Sequence, residues 1–205
     1  MTDIIAQNYE RVRTHGFEII EHIPTLREYA CKCHHVTELG VELVVSSWAF
    51  AMGLMGQQPA RLVQVDIYKH STVDHFVETA NSVGIKTTFY HQSDLDCPLE
   101  DTDLLFIDTW HVYGQLRREL ARWHSYAKQY IILHDTTVDE WLGESIRRGW
   151  DIPDQSKKTG IPELEIREGL WPAIVEFVVS HPEWIIEKRF TNCHGLTILK
   201  RIEPK

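Results

Sequence analysis

Between residues 36 and 134, short apolar runs alternate with amphipathic stretches, and the two periods predict repeated strand–helix units. Val36-Thr37-Glu38-Leu39 reads as a first strand that stops at Gly40. The pair Ser46-Ser47 then offers a helix N-cap, with Trp48, Met52 and Met55 on one helical face. Residues 61–65 predict a second strand ending at Asp66, after which Val73, Phe76, Val77 and Ala80 recur at helical spacing until Gly84. Residues 86–90 form a third strand. The run Asp103-Leu104-Leu105-Phe106-Ile107-Asp108 is apolar without alternation, as a parallel strand covered on both faces should be. Leu116, Leu120, Trp123 and Ala127 mark the inner face of the next helix, and Tyr130-Ile131-Ile132-Leu133 predicts a fifth strand ending at His134-Asp135.

The rhythm then breaks over residues 136–168, which carry Gly143, Gly149, Pro153, Gly160 and Pro162. A connection this long inside a compact domain is commonly functional, so the segment is expected to be a lid-like insertion. Trp171, Ile174, Val175 and Val178 restore a helix. Residues 184–190 and 196–201 read as two strands separated by a segment too short for a parallel crossover, so they must form an antiparallel hairpin. The expected class is α/β with a mostly parallel sheet. Residues 1–30, with Ile4, Ile5, Tyr9 and Val12 at helical spacing, predict an N-terminal helical extension. Three roles stay open for it: packing on the core, capping the active site, or joining copies in a homo-oligomer.

The length of 205 residues suits one domain spanning 1–205, and 43% hydrophobic with 25% charged residues excludes a disordered or fibrous chain. A net charge of −9 opposes phosphate polymers and anionic membranes, so neither nucleic acid nor membrane is an expected partner. No apolar run approaches the roughly 20 residues needed to cross a bilayer. The first residues lack a secretory signal, and Cys31, Cys33, Cys97 and Cys193 contain no C-x-x-C, so free thiols in a reducing, cytoplasmic setting are expected. Cys31-Lys32-Cys33-His34-His35 is too compact to close one zinc tetrahedron, and its cysteines read as core or near-core residues.

Glu38-Leu39-Gly40, Asp66, Asp94, Phe106-Ile107-Asp108 with His111 and Tyr113, and Leu133-His134-Asp135-Thr136 follow one another, with the terminal hairpin, in an order that resembles class I S-adenosylmethionine-dependent methyltransferases. More narrowly, the chain resembles the cephalosporin-hydroxylase-like and sugar O-methyltransferase branch. The resemblance implies a Rossmann-like, seven-stranded sheet with helices on both faces, a last strand inserted antiparallel, and a ligand at the carboxyl ends of the strands. It also implies an O-methyltransferase acting on a small-molecule acceptor, a sugar or sugar nucleotide, with S-adenosylmethionine as cofactor.

Under that resemblance Glu38, Gly40, Ser46, Asp66, Asp94 and Asp108 border the cofactor. Gly40 lets the backbone approach the methionine moiety, but Val41-Glu42-Leu43-Val44-Val45 has no further glycine, which argues against a tight dinucleotide cradle and a nicotinamide enzyme. Asp66 would accept from two ribose hydroxyls, or else serve as a helix N-terminal acid; Asp94 would meet the adenine amino group, or else be a surface acid. In metal-dependent relatives, acids matching Asp108 and Asp135 bind Mg²⁺. Here His134 and Thr136 flank the second acid, so either water and Thr136 complete the shell of a divalent cation (Mg²⁺ or Mn²⁺), or no ion binds. His111 and His134, with Asp108, are the candidate catalytic residues, either histidine serving as base. Trp48, Trp123, Trp171 and Trp184 are expected in the core, whereas Trp110, Trp141 and Trp150 offer an apolar wall for a ring. Arg147, Arg148, Lys157 and Lys158 offer charge to a diphosphate. Two rival readings are a binding module without chemistry and a metal-dependent hydroxylase built on His111, His134 and Asp135.

Overall fold

The structure is a computed structural model that describes residues 2–15 and 17–202. Seven strands form one sheet: β1 (His35–Leu39), β2 (Ala60–Asp66), β3 (Ile85–His91), β4 (Thr102–Ile107), β5 (Ala127–His134), β6 (Trp184–Phe190) and β7 (Leu196–Arg201). Their order is β3-β2-β1-β4-β5-β7-β6, parallel from β3 to β5, with β7 inserted antiparallel between β5 and β6. This is the expected class and topology.

The unbroken apolar run of β4 follows from its central place. Leu104 and Phe106 point into one core with Tyr130 and Ile132 of β5, while Leu105 and Ile107 point into the other with Ile131 and Leu133. The first core is covered by α1 (Thr2–His15), α2 (Ile23–Ala30), α3 (Val45–Leu54) and α4 (Thr72–Ser82); the second by α5 (Tyr113–Trp123) and α9 (Leu170–Ser180). Ile5, Tyr9 and Val12 are buried in the first core, so the N-terminal extension packs on the domain. Trp48, Trp123 and Trp184 are buried as expected, and Trp171 is partly so.

Three details differ from the sequence reading. Ala127 begins β5 instead of ending the preceding helix, because α5 stops at Trp123 and the chain turns back through residues 124–126. The segment 136–168 folds into α6 (Glu144–Arg147), α7 (Ile152–Thr159) and α8 (Glu163–Arg167) around a small apolar cluster of Val112, Ile152, Ile161 and Ile166. Its glycines and prolines punctuate short helices: Pro153 lies in the first turn of α7, Asp151 caps it, and Gly160 closes it in the left-handed region. Cys31 is exposed, not near the core, whereas Cys33 and Cys97 are buried. No helix among the described residues is long and apolar enough to cross a membrane.

Candidate active site

The carboxyl ends of β1, β2, β4 and β5 open into a cavity of about 1200 Å³, at the edge where open α/β sheets place their ligands. One end is the turn after β1. Gly40 adopts φ +83°, and a β-carbon there would overlap the Asp108 carbonyl oxygen, so only glycine lets this turn lie against the end of β4. The chain then coils tightly without further glycine, since Glu42 (φ 40°) and Val44 (φ 59°) both take the left-handed conformation. The absence of a second glycine therefore does not prevent a tight turn. Asp66 compensates part of the strain: its Oδ2 accepts from the backbone N–H groups of Val41 (2.8 Å) and Glu42 (3.0 Å), and its Oδ1 from Tyr68 (2.8 Å).

Glu38 and the serines form a second layer behind this turn. Ser46 and Ser47 lie inside α3 and make no cap; the residue at the cap position is Val44. Their hydroxyls donate instead to Glu38, at 2.5 and 2.6 Å, and Gln64 Nε2 donates to the same carboxylate at 2.9 Å. Glu38 is fully buried and lies behind the cavity wall; Ser46 reaches the wall. Burial pushes the Glu38 carboxyl up to about 7, against the opposing effect of its three donors. The folded state thus holds this proton more tightly than the unfolded chain. Stability should fall as pH rises from about 4.5 to about 7, by up to about 1.4 kcal/mol per pH unit. Denaturant titrations of wild type and Glu38→Gln across that window should show the slope lost in the variant, whatever the variant's absolute stability.

Asp94, on the loop after β3, lines the cavity and is buried, not a surface acid. Gln115 Nε2 bridges it to Glu119, at 3.2 to 3.3 Å from Asp94 and 2.9 Å from Glu119. Burial and then Asp94 raise the Glu119 carboxyl well above the usual carboxyl range.

At the other end, Asp108, His111, His134 and Asp135 converge. His111 Nε2 lies 3.2 Å from Asp108 Oδ1, and its Nδ1 lies 2.9 Å from Asp135 Oδ2. The same Nδ1 is 3.4 Å from Asp139 Oδ2 and 3.6 Å from Glu144 Oε2, contributed by the insertion. None of these three carboxylates sits on the N–H axis, so Nδ1 is held by charge from several sides without one directed hydrogen bond. His134 Nδ1 lies 3.3 Å from Asp108 Oδ1, and Asp139 is paired with Arg147 through two contacts of 2.7 Å. Burial works against charge on His111, but Asp108, Asp135 and Asp139 outweigh it and lift His111 well above an ordinary histidine. Burial likewise opposes charge on His134, and Asp108 outweighs it. Against burial, His134 and His111 hold Asp108 far below the usual carboxylate range. The surrounding carboxylates thus favour the charged form of both histidines.

One histidine was missed by sequence reasoning. His194, in the β6–β7 turn, lines the cavity and places Nδ1 3.2 Å from Asp135 Oδ1. Its backbone is left-handed (φ 66°) and its carbonyl accepts from Thr137 and Val138. The hairpin already contained the signal: β7 runs antiparallel with Leu196 opposite His134, so the turn before it must return to the edge where β5 ends. The N-terminal extension meets the same turn, with His22 Nε2 3.1 Å from the Asn192 carbonyl, and Phe17, Glu18 and Ile19 join the cavity wall. Trp110 and Trp150 line the cavity, whereas Trp141 does not. Arg147, Arg148 and Lys158 line it while paired with Asp139, Glu144 and Asp154, and Lys157 does not.

No protein-family profile and no curated protein matches the chain in sequence. Solved structures match it in fold. An S-adenosylhomocysteine-bound methyltransferase from Podospora anserina superposes with TM-score 0.62 at 14% identity, covering 98% of this chain and 88% of that one. An O-methyltransferase from Bacillus cereus, in complex with S-adenosylhomocysteine, gives 0.57 at 14%, covering 89% and 81%. The O-methyltransferase TomG from Streptomyces achromogenes, in complex with S-adenosylmethionine, gives 0.59 at 11%, covering 97% and 89%. The chain shares its fold with these methyltransferases.

Proposed function

We propose that the protein is an S-adenosylmethionine-dependent O-methyltransferase acting on a hydroxyl of a small polar acceptor, a sugar or sugar nucleotide. The observation that carries this reading is the continuity of one cavity. It runs from a glycine turn closed by Asp66 to the Asp108–His111–Asp135 cluster, in a fold shared with methyltransferases whose structures hold this cofactor or its product.

The donor set suits the cofactor. Gly40 leaves room that a β-carbon would fill, Asp66 presents an acid at the end of β2 for ribose hydroxyls, and Asp94 presents side-chain oxygens as acceptors for the adenine amino group. Ser46 borders the turn, and Glu38 supports it from behind. S-adenosylmethionine supplies, when bound, a methyl group on a positively charged sulfur. The chain's own task is to align the acceptor oxygen and to remove its proton. His111 and His134 place positive charge where the acceptor oxygen turns negative. His194, with Nδ1 donating to Asp135, leaves Nε2 free to take the hydroxyl proton.

For the acceptor, the flat faces of Trp110 and Trp150 suit a sugar ring, and Phe17 and Tyr68 extend the aromatic rim. A sugar nucleotide would bring its phosphates to the side bearing Arg147, Arg148 and Lys158. The test is transfer of labelled methyl from S-adenosylmethionine to a panel of sugars, sugar nucleotides and catechols. Label on a sugar hydroxyl is expected. Label confined to catechols overturns the acceptor class, and cofactor binding without label on any hydroxyl favours the module without chemistry.

A further inference from the structure

Asp94 and Gln115 meet at the cavity wall from two different elements, the loop after β3 and the first turn of α5. The loop is anchored behind Asp94, whose carbonyl accepts from the Trp123 indole N–H at 3.2 Å and from the Cys97 thiol at 3.4 Å. Gln115 Nε2 lies 3.3 and 3.2 Å from the two Asp94 carboxyl oxygens and 2.9 Å from Glu119 Oε1. Thr109 Oγ1 donates to that same Glu119 oxygen, while Glu119 Oε2 is buried with no partner among the described residues. Three carboxyl oxygens therefore surround one end of the Gln115 amide.

That company fixes which way the amide points. Carboxylate oxygens accept and do not donate, and even with one proton shared between the two acids, at least two of the three oxygens need hydrogen from Gln115. Only the NH₂ end supplies it, with one N–H toward Glu119 and the other divided between the Asp94 oxygens. The carbonyl Oε1 is then the polar atom that Gln115 has left for the cavity it lines. This oxygen has no partner among the described residues, yet it is not sealed in protein as Glu119 Oε2 is.

We propose that Gln115 is a specificity-determining residue, whose Oε1, beside the Asp94 carboxyl, accepts the second N–H of the cofactor's adenine amino group. The proposal rests on the methyl-transfer reading above and adds a second acceptor to the one that Asp94 supplies there. Two acceptors side by side match a group with two hydrogens to give. A 6-oxo purine in the same place keeps at most one hydrogen on that edge, at its ring nitrogen, and sets an oxygen against the other acceptor. A buried site made to pair both hydrogens therefore rejects it. Glu119 acts through Gln115 as a positioning residue, since it holds the amide that does the reading.

Isothermal titration of the full chain with three ligands tests this: S-adenosylhomocysteine, S-inosylhomocysteine, and the S-adenosylhomocysteine analogue with one methyl on its amino nitrogen. Wild type should bind the inosyl compound at least about 100-fold more weakly than the adenosyl one, and the methylated analogue about tenfold more weakly. Gln115→Met keeps the length of the side chain and removes the acceptor. It should lose about tenfold for S-adenosylhomocysteine and little for the methylated analogue, so that the two affinities converge. A role confined to supporting the wall would weaken all three ligands alike, and an unchanged ratio in folded Gln115→Met overturns the proposal. Wild type that binds the methylated analogue as tightly as S-adenosylhomocysteine overturns it without any variant. Wild type that binds none of the three overturns the methyl-transfer reading and this inference with it, whereas the first two results leave that reading standing.

Discussion

Gly40→Ala should destabilise the fold by about 3 kcal/mol or more and remove most cofactor affinity at once. Two penalties fall on one atom. The residue sits at φ +83°, where a side chain is strained, and the new β-carbon would overlap the Asp108 carbonyl, which is backbone and cannot swing aside. Relief requires moving the β1 turn away from the end of β4, and this separates the two halves of the cavity. For a domain of this size such a loss should lower Tm by roughly 10 °C. Thermal melts with and without S-adenosylhomocysteine measure both effects. An alanine variant that melts like wild type would show that the turn can relax, contrary to the geometry.

Asp66→Ala should weaken S-adenosylhomocysteine binding by about 100-fold, equivalent to about 2.7 kcal/mol. The carboxylate does two jobs. It holds the Val41 and Glu42 N–H groups that keep a glycine-poor turn in left-handed conformation, and it presents an acid at the cavity wall. Charge-assisted bonds of this kind are worth more than neutral ones, and their loss leaves strained residues free to unwind. Asp66→Asn keeps one acceptor oxygen and should fall between the two. Calorimetry on the three proteins gives the order. Equal affinity in all three would mean that the acid supports only the loop.

The alternation of strand and helix periods, the buried character of β4 and the antiparallel terminal hairpin were legible because each depends on local pattern and on chain length between elements. Asp66, Asp108 and Asp135 were legible for the same reason: they end apolar runs, and the ends of parallel strands share one edge. What stayed hidden depends on contacts between distant segments. The serine pair looked like a cap, but a buried Glu38 competes for both hydroxyls. Glycine-poor residues 41–45 looked too stiff for a tight turn, but an acid 25 positions along from Val41 holds the turn in place. The spacing of Ala127 with Trp123 looked helical, yet strand pairing of Ala127 with Thr102 prevailed. The carboxylates of Asp139 and Glu144 reach His111 only because the insertion folds back on the sheet edge, and no periodicity encodes that.

The account stands or falls on whether one cavity at the ends of β1, β2 and β4 takes a sulfonium nucleoside or its product. Isothermal titration of S-adenosylhomocysteine into the full chain measures this directly. One site per chain with a dissociation constant in the micromolar range, weakened by Asp66→Ala, is the expected result. Absence of heat up to millimolar ligand, or binding that Asp66→Ala and Gly40→Ala leave untouched, would contradict it.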